Sequence, residues 1–485
     1  MRNSFGILLL LAVVLPANAQ RVLSLDSCRQ MALRNNKQLG ISKLKQDVAA
    51  NLRKSARTKY LPHVSAIGAY EYTSKELSIL SDVQKTALSG LGTSFATSMQ
   101  QSLGPLVAQM QPQTQQMIGQ TLTQTAGSLN QKGQQIVDAF RTDTRNIFAG
   151  TVMFTQPLFM GGGIVALNRI AEIGEKLAQN STDVSRHATL YQIDQAYWQV
   201  VSLHHKKQLA ESYLELVKKF DSDVHKMIEE GVATRSDGLS VDVKVNEAEM
   251  TLTKVNDGLV LSRMLLNQLC GLSLNEPVTL QDEQNDNIAV VELKPQLDVE
   301  QAVSNRPELK MLQNTVDITK QTTNLLKAGN LPQMVLMGGY AVSNPNVFNS
   351  FEKKFAGFWH LGVVLRVPIW NWGDVMYKVR ASKGATAIAN LELAEAREKI
   401  ELQVNQVTFK VDEANKKLTM AQKNIQRADE NLRTANLGFQ EGVISPTVVM
   451  EAQTAWLQAQ SQKIDAEIDV KLSQVDLQKA LGTLE

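Results

Sequence analysis

Cysteine, aromatic residues and an excess of either charge are all scarce in this chain of 485 residues. Two cysteines, Cys28 and Cys270, are too few for a disulfide-stapled scaffold and lack the pairing that a zinc site needs. Lys and Arg number 50 against 48 Asp and Glu, so the clear basic excess of a nucleic-acid-binding protein is missing. Aromatics make up only 5%, which argues against several large conventional cores, although the length alone would allow two or three domains. Beyond residue 20 no apolar run reaches the roughly 18 residues of a membrane-spanning helix. Insertion as β-strands, whose signal per strand is much weaker, stays open.

Catalytic constellations are missing too. His204 and His205 are neighbours on a helical segment, so they point to different faces, and no carboxylate or cysteine stands at ligand spacing. We expect them on a solvated helix surface. Gly161-Gly162-Gly163 lacks the Lys-Ser/Thr of a phosphate loop and reads as a flexible strand-to-helix transition. The 16 methionines are scattered, with no metal relay among them. The expectation is a protein with no catalytic residues, no cofactor and no bound metal, and no nucleic-acid partner.

What is present begins at the N-terminus. Arg2 precedes an apolar run from Phe5 to Leu15, followed by Pro16 and Ala17-Asn18-Ala19. This reads as a secretory signal peptide, residues 1–19, with the mature chain starting at Gln20. The nearest cysteine is Cys28, too far from the cleavage site for lipidation.

Self-similarity is the strongest signal. Ala32-Leu33-Arg34-Asn35 through Tyr60-Leu61-Pro62 aligns with Ala302-Val303-Ser304-Asn305 through Asn330-Leu331-Pro332 at an offset of 270, which still holds for Tyr70 against Tyr340. Further on, Gln156-Pro157-Leu158-Phe159 aligns with Val367-Pro368-Ile369-Trp370 at an offset of 211, kept by Gly231 against Gly442 and Gly271 against Gly482. The chain therefore reads as a first repeat over 20–272, a segment over 273–297 and a second repeat over 298–485. The first copy carries a 59-residue excess between residues 74 and 146.

Each repeat reads as helix, strand, strand, long helix, turn, helix. Val404, Val407, Val411, Ala414, Leu418, Ala421, Ile425, Ala428, Leu432, Ala435 and Phe439 recur in steps of 3 and 4, a heptad seam. The matching first-copy positions run from Ile193 to Ile228 and are apolar except at Lys207 and Asp221. No proline interrupts Asp374 to Gln440, which makes a helix of about 100 Å. The strands expected at Val64 to Thr73, Asn146 to Gln156, Met334 to Ser343 and Phe358 to Val367 have the length of tilted membrane-crossing strands. In the last, Trp359, Leu361, Val363, Leu365 and Val367 form an apolar face. Four strands cannot close a barrel in lipid, so the chain is expected to oligomerise.

In order and in duplicate, these features resemble the TolC-type outer membrane efflux protein family. The resemblance rests on the Leu-Pro helix ends before the strands, the Gln156-Pro157-Leu158-Phe159 and Pro368-Ile369-Trp370 segments after them, the Glu-Gly-Val turns, and the ends Leu269-Cys270-Gly271 and Ala480-Leu481-Gly482. It implies an α+β homotrimer: a β-barrel in the outer membrane, four strands per chain, continuous with a periplasmic coiled-coil barrel of α-helices. It also implies the work of a passive exit duct in a tripartite efflux or type I secretion system, with a periplasmic adaptor protein and an inner-membrane pump of the RND or ABC type as partners. The residues alone leave open a non-transport surface protein built on long coiled coils. Residues 273–297 fall where the family places part of an equatorial belt, which the short C-terminal end would keep small.

The resemblance further places the periplasmic tip at Glu230-Gly231-Val232-Ala233 and Glu441-Gly442-Val443-Ile444, as gate and adaptor-docking site. The family's gate acids fall on Val448 and Glu451, so Glu451 is the candidate gate carboxylate, with Asp237 and Asp242 nearby in the first copy. Cys28 and Cys270 would meet at the equatorial level, where the oxidising periplasm allows a bond between them if their Cα atoms come within about 7 Å, with two buried free thiols as the default. The excess segment would lie outside the cell. Thr86 to Gln131 carries no charge and reads either as a disordered loop or as short amphipathic helices packing as a partial lid.

Overall fold

The computed structural model describes residues 21–142, 144–285, 299–349 and 351–484. The expected signal peptide and residues 286–297 of the inter-repeat segment lie outside the described residues. The chain divides into two compact units.

The first unit comprises the described residues through Ala56, Ala166–Thr323 and those from Tyr377 on. It opens with β1 (Arg21–Leu23) and α1 (Leu25–Asn35), capped by the Ser24 hydroxyl, which accepts from the Ser27 N–H at 3.2 Å. The first repeat is read as opening on a single helix that ends before Leu61-Pro62. The structure breaks it at Asn36, whose side-chain oxygen accepts from the Leu39 N–H at 3.0 Å and starts α2 (Lys37–Thr58). The second half breaks correspondingly between α8 (Val299–Asn305) and α9 (Pro307–Lys327), because proline favours the first turn of a new helix.

In the sheet-bearing unit, Arg57–Val165 and Asn324–Met376, the four strands pair antiparallel in the order β2 (His63–Tyr72), β3 (Asn146–Met160), β5 (Gln333–Asn344), β6 (Ala356–Arg366). β3 runs past its expected end at Gln156, since a register shift between Pro157 and Phe159 accommodates the missing proline N–H. β4 (Val278–Leu280), in the helical unit, pairs parallel with β1, a contact the sequence did not announce. The excess segment folds as α3 (Asp82–Ser89), α4 (Leu91–Val107) and α5 (Pro112–Ala139). Glycine permits that packing: a β-carbon on Gly92 would stand 1.9 Å from the Ala126 carbonyl oxygen, and one on Gly133 1.8 Å from that of Leu88. The Asn130 side chain ties the pair, accepting from the Gly92 N–H at 2.7 Å.

The long helices are α6 (Gly163–Glu229) and α10 (Asp374–Gln440), each of 67 residues; α7 (Arg235–Cys270) and α11 (Pro446–Leu481) each have 36. The second-half seam is buried at Val404, Val407, Val411, Ala414, Leu418, Ala421, Leu432, Ala435 and Phe439, and half-buried at Ile425 and Ala428. A fully buried carboxylate pins α1 to α6, Asp194 accepting from Arg29 Nε at 2.7 Å and Nη2 at 2.6 Å.

The histidine pair corrects one expectation. His205 is buried and His204 half-buried, with His204 Nδ1 3.8 Å from the shielded Glu283 carboxylate that Arg263 grips at 3.0 and 3.1 Å. Burial lowers the His204 pKa, and the ring serves as neutral packing. Their neighbour is long-range in sequence, which local spacing could not reveal. Among the described residues no helix is long and apolar enough to cross a membrane.

Candidate functional site: the two helix-hairpin turns

The turn joining α6 to α7 is built from glycine chemistry. Gly231 takes φ +77°, and both the Val232 N–H (2.8 Å) and the Ala233 N–H (3.1 Å) donate to the Met227 carbonyl. This satisfies carbonyls the helix end would otherwise leave open. The α10 to α11 turn repeats the pattern at the offset of 211. Gly442 takes φ +71°, and the Val443 (2.9 Å) and Ile444 (3.1 Å) N–H groups donate to the Gly438 carbonyl.

Behind the turns Phe220, Val224 and Val241 pack with Leu432, Phe439 and Val449, drawn from all four helices. The Phe220 and Phe439 rings lie 4.9 Å apart between centroids. That core holds the turns outward, and the apolar tip residues Val232 and Val443 stay 66% and 78% exposed. Glu230, Glu441 and their glycines stand beside them, also exposed.

The three candidate carboxylates do not converge. Asp237 is engaged in a capping box: its carboxylate accepts from the Thr234 N–H at 3.0 Å and hydroxyl at 2.6 Å, while the Thr234 hydroxyl accepts from the Asp237 N–H at 3.2 Å. Those bonds hold its pKa below the ordinary value. Glu451 is exposed on the second turn of α11, in a shallow groove facing Lys244 and Glu247 of α7. Lys244 is committed to Glu247 at 2.9 Å. Asp242 lies with its Oδ1 3.9 Å from His225 Nε2 of α6.

That last contact exposes a group the sequence reading missed. Asp221, His225 and Asp242 each offer a ligand atom within 4.8 Å of the other two. The hydrogen bond to the Asp221 carbonyl and the two nearby carboxylates raise the His225 pKa. The available signal was Asp221 itself, a polar interruption of the apolar seam.

Both cysteines are fully buried and free, Cys270 Sγ lying 3.9 Å from the Cys28 carbonyl oxygen. Mutual contact and burial push the Cys28 thiol far above its ordinary range.

Comparison with known proteins gives this geometry its context. Residues 299–483 match the model of the outer membrane efflux protein family. Outer membrane protein TolC of Vibrio cholerae serotype O1 is 21% identical over 352 residues, 70% of this chain and 77% of that protein. The crystal structure of VceC from Vibrio cholerae shares the fold with a TM-score of 0.71 at 13% identity, over 94% of this chain and 96% of that one. The open-state outer membrane channel MtrE of Neisseria gonorrhoeae does so with a TM-score of 0.69 at 14% identity, over 95% and 89%. Proteins of this family are passive channels of the outer membrane and not enzymes. The second half thus carries the sequence pattern of the outer membrane efflux proteins, and nearly the whole chain shares the fold of these outer-membrane channels.

Proposed function

We propose that the protein is the outer-membrane exit duct of a tripartite efflux or type I secretion system, passively conducting solutes that an inner-membrane pump delivers. In this reading it works as a homotrimer, reaches from the outer membrane into the periplasm, is not lipidated, and docks a periplasmic adaptor on the turns at Gly231 and Gly442.

The observation that carries the reading is the pair of open sheet edges. Among the described residues β2 and β6 have one strand partner each, and both present large apolar side chains outward, Trp359 at 77% exposure and Val64 at 71%. Unpaired edge groups are untenable in lipid, so β6 of one copy must pair with β2 of the next. Antiparallel order is preserved across that junction, and three copies close a barrel of about twelve strands, within the range of bacterial barrels. The equal lengths of α6 and α10, and of α7 and α11, support a duplicated origin for the two halves.

Mass measurement of the purified protein in detergent, combined with planar-bilayer recording, tests the proposal. A trimer with ion conductance is the expected result. An assembly that conducts nothing under any gating condition would favour a coiled-coil surface protein instead.

A further inference from the structure

We infer that Asp221, His225 and Asp242 form a binding site for one divalent transition-metal ion of the Zn²⁺ class per chain, bridging α6 to α7 just behind the hairpin turn. Asp221 and His225 stand four residues apart on α6 and so share a face. Asp242 comes from α7, held in register because its neighbour Val241 packs in one core cluster with Val224.

The imidazole is already oriented as a ligand. His225 Nδ1 lies 3.0 Å from the Asp221 carbonyl oxygen, which can only accept, so Nδ1 carries the proton. The neutral ring then keeps its lone pair on Nε2, the nitrogen that faces Asp242 Oδ1 at 3.9 Å. A histidine that donates its other N–H to a backbone carbonyl is the usual arrangement at metal centres.

Two further observations point to a cation. Asp221 Oδ1 is shielded from solvent and makes no hydrogen bond, its nearest charged neighbour being His225 Nδ1 at 3.4 Å, so a cation would satisfy it. Gly238 keeps the approach to Nε2 open: a β-carbon there would stand 3.7 Å from Nε2 and 2.8 Å from Ile228 Cδ1. The ion pairs of Asp221 and Asp242 found among the described residues are with His225 alone, so no lysine or arginine takes the place of the ion.

The donor set selects the class of ion. One imidazole and two carboxylates suit Zn²⁺, Co²⁺ or Ni²⁺, whereas Mg²⁺ and Ca²⁺ call for oxygen ligands throughout. Three protein ligands leave a fourth position to water. The set is not repeated at the offset of 211, where the positions are Leu432, Asn436 and Gln453, the first and last buried.

The test uses the full-length protein in detergent, stripped with EDTA and titrated with Zn²⁺ by calorimetry and with Co²⁺ by visible absorption. The expected result is one ion per chain, Co²⁺ bands of low-coordinate intensity, and Mg²⁺ binding at least about 100-fold weaker. His225→Ala and Asp242→Asn should each weaken Zn²⁺ binding by at least about tenfold, with Glu451→Gln unchanged. Circular dichroism and assembly mass verify that these surface variants fold. Zn²⁺ should raise the melting temperature of the wild-type protein but not of His225→Ala. Equal Zn²⁺ binding by wild type and His225→Ala, no stoichiometric uptake, or equal affinity for Mg²⁺ would each overturn the assignment. The inference does not depend on conduction, so its failure leaves the duct reading standing.

Discussion

Asn35 closes the C-terminal end of α7 at Gly271: its side-chain N–H donates to the Cys270 carbonyl at 2.8 Å, and a β-carbon on Gly271 would lie 2.4 Å from the Asn35 Cβ. Asn305 and Gly482 repeat the pair at the end of α11, but more loosely, with 3.3 Å between the corresponding positions. Both glycines are left-handed, at φ +75° and +69°.

The difference predicts unequal costs. Gly482→Ala should lose about 1–2 kcal/mol through backbone strain. Gly271→Ala adds a clash and displaces Asn35, and should lose about 3 kcal/mol or more. Thermal melts of the two variants, side by side, check the ranking.

At the tips, Val443→Asp replaces a side chain that makes little internal contact. Stability should stay within about 0.5 kcal/mol, while adaptor-dependent export falls. Export equal to wild type would remove this turn from the docking surface. Thr234→Ala, which destroys the capping box, should instead cost about 1 kcal/mol of stability.

Glu451→Gln tests the gate. If three copies of Glu451 ring a narrow opening, the variant should lose cation selectivity or blockade by trivalent cations. Unaltered currents would take Glu451 out of the gate.

Glu467 on α11 is buried beside Lys463 at 3.4 Å, and desolvation raises its pKa. The folded state therefore holds this proton more tightly than the unfolded chain does. Its favourable contribution is full below the unfolded value and is lost as pH rises through the raised one. Glu467→Gln should flatten that decline, so the gap between variant and wild-type melting temperatures should widen in favour of the variant above the ordinary glutamate range.

For the inserted helices, deletion of Thr86 to Gln131 should leave trimer assembly intact and raise open-channel conductance if three copies pack as a lid. Equal conductance with unaltered noise would leave them as surface decoration.

Much of the architecture was legible because it is periodic. The heptad seam from Val404 to Phe439, the glycines at 231, 271, 442 and 482, and the four strand segments are each set by local rules: side-chain spacing, positive φ and alternation. The breaks at Asn36 and Pro307 carried signals of the same local kind, an Asn cap and a proline.

What only tertiary structure decided are the meetings between residues far apart in the chain. The β1 to β4 pairing, the grip of Arg29 on Asp194, and the burial of His205 near Glu283 depend on packing across separations no spacing rule reaches. The sequence alone marked Asp221 as a flaw in an apolar seam; the return of α7 brought Asp242 to His225 beside it and made that flaw part of a ligand set. Periodicity fixes which face of a helix is buried, but which polar groups converge depends on the register between helices, which the packed core sets.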